Sequence, residues 1–415
     1  MISVCKITTF FTNQNIFYTY FLCFLTFFCT FAPMKRLHLI LYVVILLTIS
    51  LSASAEEKNS SFPVKAWSWL KNYMYESTVK GINQDYIEVP KKEWTAELTT
   101  TINHSPLKLE TEWNYDKING TFTSHSDNGL TTAVGVAIAY RSYGIGFSKI
   151  VNGTGSNFSI GFSGSKYAIN ASIKSYESDS PEIKFDGTAW GEPFHSREKT
   201  KIDDPIKVRT FFIDGYYFFN GSKFSYLSAY SPSLIQRRSA GSLFVGAMYS
   251  HARVNFGSEN NADMIIAMQG IERVKSNQWS VGAGYAYNWV PAKNLTVNCT
   301  VMPMLTLYNR NTVYRYDIKE IINEGFNRLD DEEYWIDDET SDESTGDLLK
   351  KYPLNKEKTP NRVRLNFDAR VSLIYHWTNM FVRAYGQFNR FSFGGEDVKG
   401  RLIDWTIYAS VGTRF

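Results

Sequence analysis

From Asn361 to Trp377 the odd positions read Asn, Val, Leu, Phe, Ala, Val, Leu, Tyr, Trp, and the even ones Arg, Arg, Asn, Asp, Arg, Ser, Ile, His. Strict alternation is the period of a strand whose two faces meet different surroundings. This run outlasts the roughly 5–6 residues of an ordinary soluble strand. The pattern recurs where Trp279, Val281, Ala283, Tyr285, Tyr287 and Trp289 alternate with Ser280, Gly282, Gly284, Ala286 and Asn288. Aromatics close both ends of that row, as in an interfacial girdle. The chain ends in the same register, with Trp405, Ile407, Ala409, Val411, Thr413 and Phe415 on one side.

These patterns predict strands at 94–103, 131–140, 143–150, 166–175, 206–219, 222–234, 241–254, 278–289, 294–307, 361–377, 379–393 and 402–415. Short links at 141–142, 290–293 and 377–378 would be periplasmic turns. Long links at 104–130, 255–277 and 308–360 would face outward. The expected fold is all-β: a transmembrane antiparallel up-and-down barrel of about 12 strands, within a range of about 10–14. One connection breaks the scheme. The link 176–205 falls on the periplasmic side and the tight turn Asn220-Gly221 on the outer side. The stretch "SNFSIGFSG" at 156–164 is a strand candidate left out of the count.

Before the first strand, Trp67, Leu70 and Met74 share one helical face, which predicts a short periplasmic helix packing on the barrel base. Further upstream, Lys35 and Arg36, the apolar run Leu37–Ile49 and Ala53-Ser54-Ala55 have the layout of a secretory signal peptide cut after Ala55. The expected organisation is thus an upstream extension at 1–33 with translation starting at Met34, a signal peptide at 34–55, a periplasmic segment at 56–93, and an outer-membrane barrel at 94–415. After Ala55 there is no run of about 18 apolar residues, so no further spanning helix is predicted.

Composition supports this class. Mean hydropathy is only −0.26, yet 16% of residues are aromatic, a combination that a barrel with one face in lipid and one in water reconciles. A formal net charge of +3 gives no basic surface for nucleic acid. Cys299 is the one cysteine after residue 33, so no internal disulfide is expected beyond it, and it falls on an apolar row.

Four stretches, "FSYLSAYSPSLIQRRSAGSLFVGAMY" (224–249), "VGAGYAYNWVPAKNLTV" (281–297), "YIEVPKKEW" (86–94) and "VGTRF" (411–415), resemble a family of Bacteroidetes outer-membrane β-barrels known as domain of unknown function 4421. The Gln-Arg-Arg-Ser-Ala-Gly-Ser run at 236–242 is the most distinctive piece. The resemblance implies an exported barrel in a Gram-negative envelope and implies no activity. Sequons such as Asn119-Gly-Thr carry little weight in such a composition.

Charged residues on polar rows are the candidate site. Arg362, Arg364, Asp368 and Arg370 share one strand, Arg383 and Gln387 the next, and Lys207 and Arg209 the 206–219 strand. An Arg or Lys facing lipid at the midplane costs about 2–4 kcal/mol, so these rows are expected to line the lumen. There, two readings compete: a water-filled path favouring anions, or a closed interior in which the arginines pair with acids such as Asp368 and Asp404. The histidines show no metal-ligand spacing, and no cofactor or metal is expected. A lipid hydrolase would need a Ser–His pair. Ser250 and His251 point to opposite faces, and His376 sits at a strand end. The acidic block 328–347 reads as a solvated outer loop.

The first functional expectation is therefore a porin-like channel for small, in the first instance anionic, solutes. The second is a closed barrel with a structural or surface-interaction role, and the third a lipid-modifying enzyme. Expected partners are outer-membrane lipid, a small solute, and the barrel-assembly machinery, for which Ile407, Ala409, Val411 and Phe415 form the insertion signal. The sequence leaves the oligomeric state undetermined.

Overall fold

The computed structural model describes residues 62–415 except 116–117, 127–128, 190, 200, 203, 258–260, 319, 321–348, 350, 359–362 and 395–397. The expected upstream extension, the signal peptide, the acidic block and Arg362 lie outside the described residues. Helix α1 (Phe62–Val79) opens with Pro63 in its first turn and stops before Gly81, whose φ of 78° suits a helix C-terminus. A boundary between two compact units falls within it, after Tyr73. In the first unit, the rings of Trp69 and Tyr73 stack at 5.8 Å. In the second, Leu70's expected partner Met74 is half-buried, and Thr78 Oγ1 lies 2.7 Å from Ser142 Oγ.

The strands, in chain order, begin with β1 (Ile87–Glu88), β2 (Trp94–His104), β3 (Leu107–Tyr115), β4 (Ile118–Ser126), β5 (Thr131–Tyr140) and β6 (Tyr143–Ile150). Then come β7 (Gly155–Ser163), β8 (Tyr167–Ser178), β9 (Glu182–Ala189), β10 (Glu192–Lys199), β11 (Ile206–Phe218) and, after the short helix α2 (Leu227–Tyr230), β12 (Ile235–Gln236). β13 (Ala240–Asn255), helix α3 (Ala262–Ala267), β14 (Ile271–Ala292), β15 (Leu295–Arg315), β16 (Asn355–Lys358), β17 (Arg364–Trp377), β18 (Met380–Gly394) and β19 (Val398–Arg414) complete the chain.

Twelve of these form a closed antiparallel wall in the order β2, β5, β6, β7, β8, β11, β13, β14, β15, β17, β18, β19. The last strand pairs with the first, from Trp405↔His104 to Arg414↔Thr95, so no edge is left open. Trp94 and Phe415 then exchange both backbone hydrogen bonds. Closure removes the fraying that an unpaired terminal strand would suffer.

Two elements differ from expectation. Residues 155–163 form a wall strand, whereas 222–234 do not. Their alternation of Phe224, Tyr226 and Leu234 with polar neighbours is incidental, and Pro232 cannot donate to a central ladder. This exchange keeps the strand number and repairs the topology. The 176–205 link joins the long-loop end as the β9–β10 hairpin, and Asn220-Gly221 joins the short-turn end. Tight turns there place Arg141, Asn294 and Thr378 at φ of 54°, 68° and 49°, the left-handed backbone that two-residue hairpins need.

Outward rows are apolar and exposed: Leu98, Val136, Val281, Val301, Leu373 and Val411 are examples. On β14, about ten residue steps separate outward Trp279 from Trp289; at about 3.4 Å each and a tilt of about 40° they span about 26 Å, close to the roughly 25 Å apolar band of outer-membrane barrels. Exposed Cys299 lies on such an outward row. At the long-loop end, β3 pairs with the top of β19, and β4 with β9. Leu107, Leu109 and Phe122 from these hairpins are buried in one cluster with Ile206, Val208 and Phe256.

Candidate functional site

The wall strands face inward with small residues on one side. Gly135, Ala137, Gly144, Gly146, Ser159 and Ser172 sit on the lumen rows of β5 to β8, as the register from Glu97↔Ala137 onward requires. Barrels of about 8 strands are just filled by wall side chains. A wider wall lined with glycine and alanine is not, and the chain supplies the missing volume itself. Between β11 and β13, residues 220–239 turn into the lumen and bury Phe224, Tyr226, Leu227 and Leu234.

The distinctive Gln-Arg-Arg run holds this inserted segment. Buried Gln236 accepts hydrogen bonds from the Ser225 amide at 3.1 Å and Asn288 Nδ2 at 3.0 Å, and donates to the Lys223 carbonyl at 2.6 Å. Gln236 and Ile235 also pair with Ile87 and Glu88 in a small two-stranded sheet. Arg237 pairs with Glu88 and donates to Asn294 Oδ1 at 2.8 Å. Arg414 Nε donates to the Pro232 carbonyl at 2.9 Å, and its Nη2 donates to His376 Nδ1 at 2.6 Å.

Above the inserted segment, each buried cation meets an acid. Arg370 Nε lies 3.2 Å from Asp368 Oδ1, and its Nη2 is 3.6 Å from Asp214. The same guanidinium donates to Tyr226 Oη at 3.2 Å and to Tyr216 Oη. Arg383 Nη2 lies 2.7 Å from Glu97 Oε2, donates to Tyr408 Oη at 3.0 Å, and its Nη1 donates to the Tyr230 carbonyl. Lys174 Nζ crosses to Asp404 Oδ2 at 2.9 Å. A cavity of about 260 Å³ lies among these groups.

Six expected lumen residues are described structurally, apart from Arg364 and Arg362. Asp368, Arg370 and Arg383 are buried inside, and Gln387 lines the cavity. Arg364 opens β17 opposite Thr306; Arg362 is not described. Lys207 and Arg209 require a correction. They alternate with buried Ile206, Val208 and Thr210 and face outward. Arg209 pairs with Arg253, four positions beyond the Ile213↔Tyr249 and Tyr249↔Trp279 pairs. That places both cations past the aromatic girdle, where an outward charge costs only about 0–1 kcal/mol. Asp404 pairs with a lysine rather than an arginine. Ile407, Ala409, Val411 and Phe415 all face outward.

Ser250 is buried while His251 lies on the other face and contacts Asn277 Oδ1 at 2.8 Å. Sequence reasoning missed Glu97, Asp214, Lys174 and the tyrosines. Glu97 and Asp214 had a usable signal: each is a lone acid on the inward row of a strand. Outside the membrane band, the Arg197 guanidinium holds Glu182 below its ordinary pKa and is itself raised by that acid, while the Lys184 ammonium holds Asp186 low.

Residues 82–398 match the family described as Domain of unknown function (DUF4421). No curated protein matches the chain. Similar solved structures include the outer membrane protease OmpT from Escherichia coli, 9% identical over 79% of this chain and 98% of that one, with a TM-score of 0.40. The translocator domain of the autotransporter NalP from Neisseria meningitidis is 8% identical over 85% and 97%, with a TM-score of 0.30. The β domain of the Bordetella autotransporter BrkA is 9% identical over 78% and 100%, with a TM-score of 0.31.

Proposed function

The chain belongs to the DUF4421 family, and on that premise we propose that it is a closed outer-membrane barrel that holds a solute rather than passing one. In this reading residues 34–55 direct export and are cleaved after Ala55, and the assembly machinery reads the outward row ending at Phe415. The observation that carries the closed reading is the inserted segment. Phe224, Leu227 and Leu234 are each almost fully buried, and such side chains contribute about 1.5–3 kcal/mol apiece, or about 4.5–9 kcal/mol together.

Charge also speaks against an anion path. Arg370 and Arg383, two of the arginines that suggested one, are neutralised by Asp214, Asp368 and Glu97. The test is planar-bilayer recording of the folded full chain. No sustained current steps are expected; steady steps at constant voltage would favour the channel reading instead. The barrel reading itself predicts slower gel mobility after boiling. Incubation with labelled phospholipid addresses the enzyme reading, with no turnover expected.

A further inference from the structure

The cavity is bounded by four different surfaces. Its floor is Tyr226 and Tyr230 of the inserted segment, and one wall is the glycine, alanine and serine face of β5 to β8. Opposite stands Tyr385 stacked on Tyr408, with ring centres 4.6 Å apart and planes 20° from parallel. The Lys174–Asp404 ion pair crosses the lumen on the side toward the long loops, where the cavity is partly open, with Ser105 donating to Asp404 Oδ1 at 2.5 Å.

Two features of this lining point to a ligand class. The lining holds three cations, Lys174, Arg370 and Arg383, and three anions, Glu97, Asp214 and Asp404, every one engaged with a partner of opposite sign. A charged solute would have to break one of these pairs, and leaving a buried charge unpaired is heavily disfavoured. By contrast, the Gln387 carboxamide, the Tyr385 hydroxyl and the Ser159 and Ser172 hydroxyls are half-buried cavity-lining groups engaged in no hydrogen bond among the described residues. They are neutral, and together they both donate and accept.

An uncharged ligand rich in hydroxyls satisfies all of these groups at once. Size agrees: an apolar cavity of about 150 Å³ holds benzene, so about 260 Å³ accommodates a six-membered ring bearing several hydroxyls. We infer that the lumen cavity binds a neutral hexose-sized polyol, with Gln387, Ser159, Ser172 and the Tyr385 hydroxyl bonding its hydroxyls. This inference rests on the closed-barrel reading and gives the held solute a chemical class.

The experiment is titration calorimetry on the folded full chain in detergent, using glucose, galactose and mannose, with glucuronate as the charged counterpart. Saturable binding of at least one hexose is expected, with glucuronate weaker by about tenfold or more. Gln387→Ala should weaken it by about tenfold, and Ser172→Leu, which fills the cavity, should abolish it. Each variant is first checked for the gel-mobility shift on boiling; if Ser172→Leu does not fold, Gln387→Ala and a direct glucuronate comparison decide. The inference is overturned if no hexose binds the folded chain, if glucuronate binds as well as the hexose, or if binding is unchanged in the folded variants. A barrel silent in bilayers that binds no hexose loses this inference alone, whereas one that conducts loses the closed reading whatever it binds.

Discussion

Glu97→Gln and Arg383→Met, alone and together, test whether the lumen charges are a matched pair or separate features of a wet channel. The two side chains lie 2.7 Å apart and are only 6% and 8% exposed. Removing one partner of such a pair costs about 3–5 kcal/mol, because the other is left charged and buried. In Glu97→Gln, Arg383 still donates to Tyr408 Oη and the Tyr230 carbonyl, so about 3 kcal/mol is expected. In Arg383→Met, Glu97 keeps only Tyr408 Oη at 3.4 Å, and the inserted segment loses its tie at Tyr230; about 5 kcal/mol is expected. The double variant buries no charge and should lose only about 1–2 kcal/mol from broken hydrogen bonds. On these figures the singles sum to about 8 kcal/mol, so the coupling between the sites is about 6–7 kcal/mol. Urea unfolding in lipid vesicles, followed by tryptophan fluorescence, measures all four proteins. If the double variant costs the sum of the singles to within about 0.5 kcal/mol, the pair is solvated and the filled-lumen reasoning fails.

Arg209→Ala should change unfolding free energy by no more than about 0.5 kcal/mol, because the side chain faces outward beyond the girdle, whereas Arg370→Ala should cost about 3–5 kcal/mol; the same unfolding assay separates them. Acid should loosen the β9–β10 hairpin while leaving the wall intact. Glu182 and Asp186 are held below their ordinary values of 4.5 and 3.8 by Arg197 and Lys184, so their contribution is complete above those values and fades as pH falls through the depressed ones. A spin label at Ser196 should gain mobility on acidification, and an acid-insensitive label would contradict this. Phe415→Asp, or a chain extended past Phe415, should insert into outer membranes in lower yield, since Phe415 is exposed on the outward row and its backbone pairs with Trp94; normal yield of both would remove the insertion role.

Much of the barrel was legible residue by residue. Period-two alternation is a local property, so β14, β17 and β19 announce themselves through Trp279–Trp289, Asn361–Trp377 and the final row to Phe415. The Gly155–Ser163 strand was harder to see, because glycine and serine dilute its outward Phe158, Ile160 and Phe162. Arg370 and Asp368 were identifiable as interior groups, since a charge on a central strand avoids lipid.

The sequence by itself determined which residues alternate, and hence that the chain would form a membrane barrel closed by its own last strand. Tertiary structure alone decided what fills that barrel. Whether Phe224–Leu234 joins the wall or enters the lumen depends on how much space twelve strands leave unfilled, a global quantity absent from any local window. Likewise, Arg209 and Arg370 sit on equally regular alternating rows. Height along the membrane normal separates them, because only within the apolar band does an outward charge carry a cost, and that height is set by the register of all the neighbouring strands.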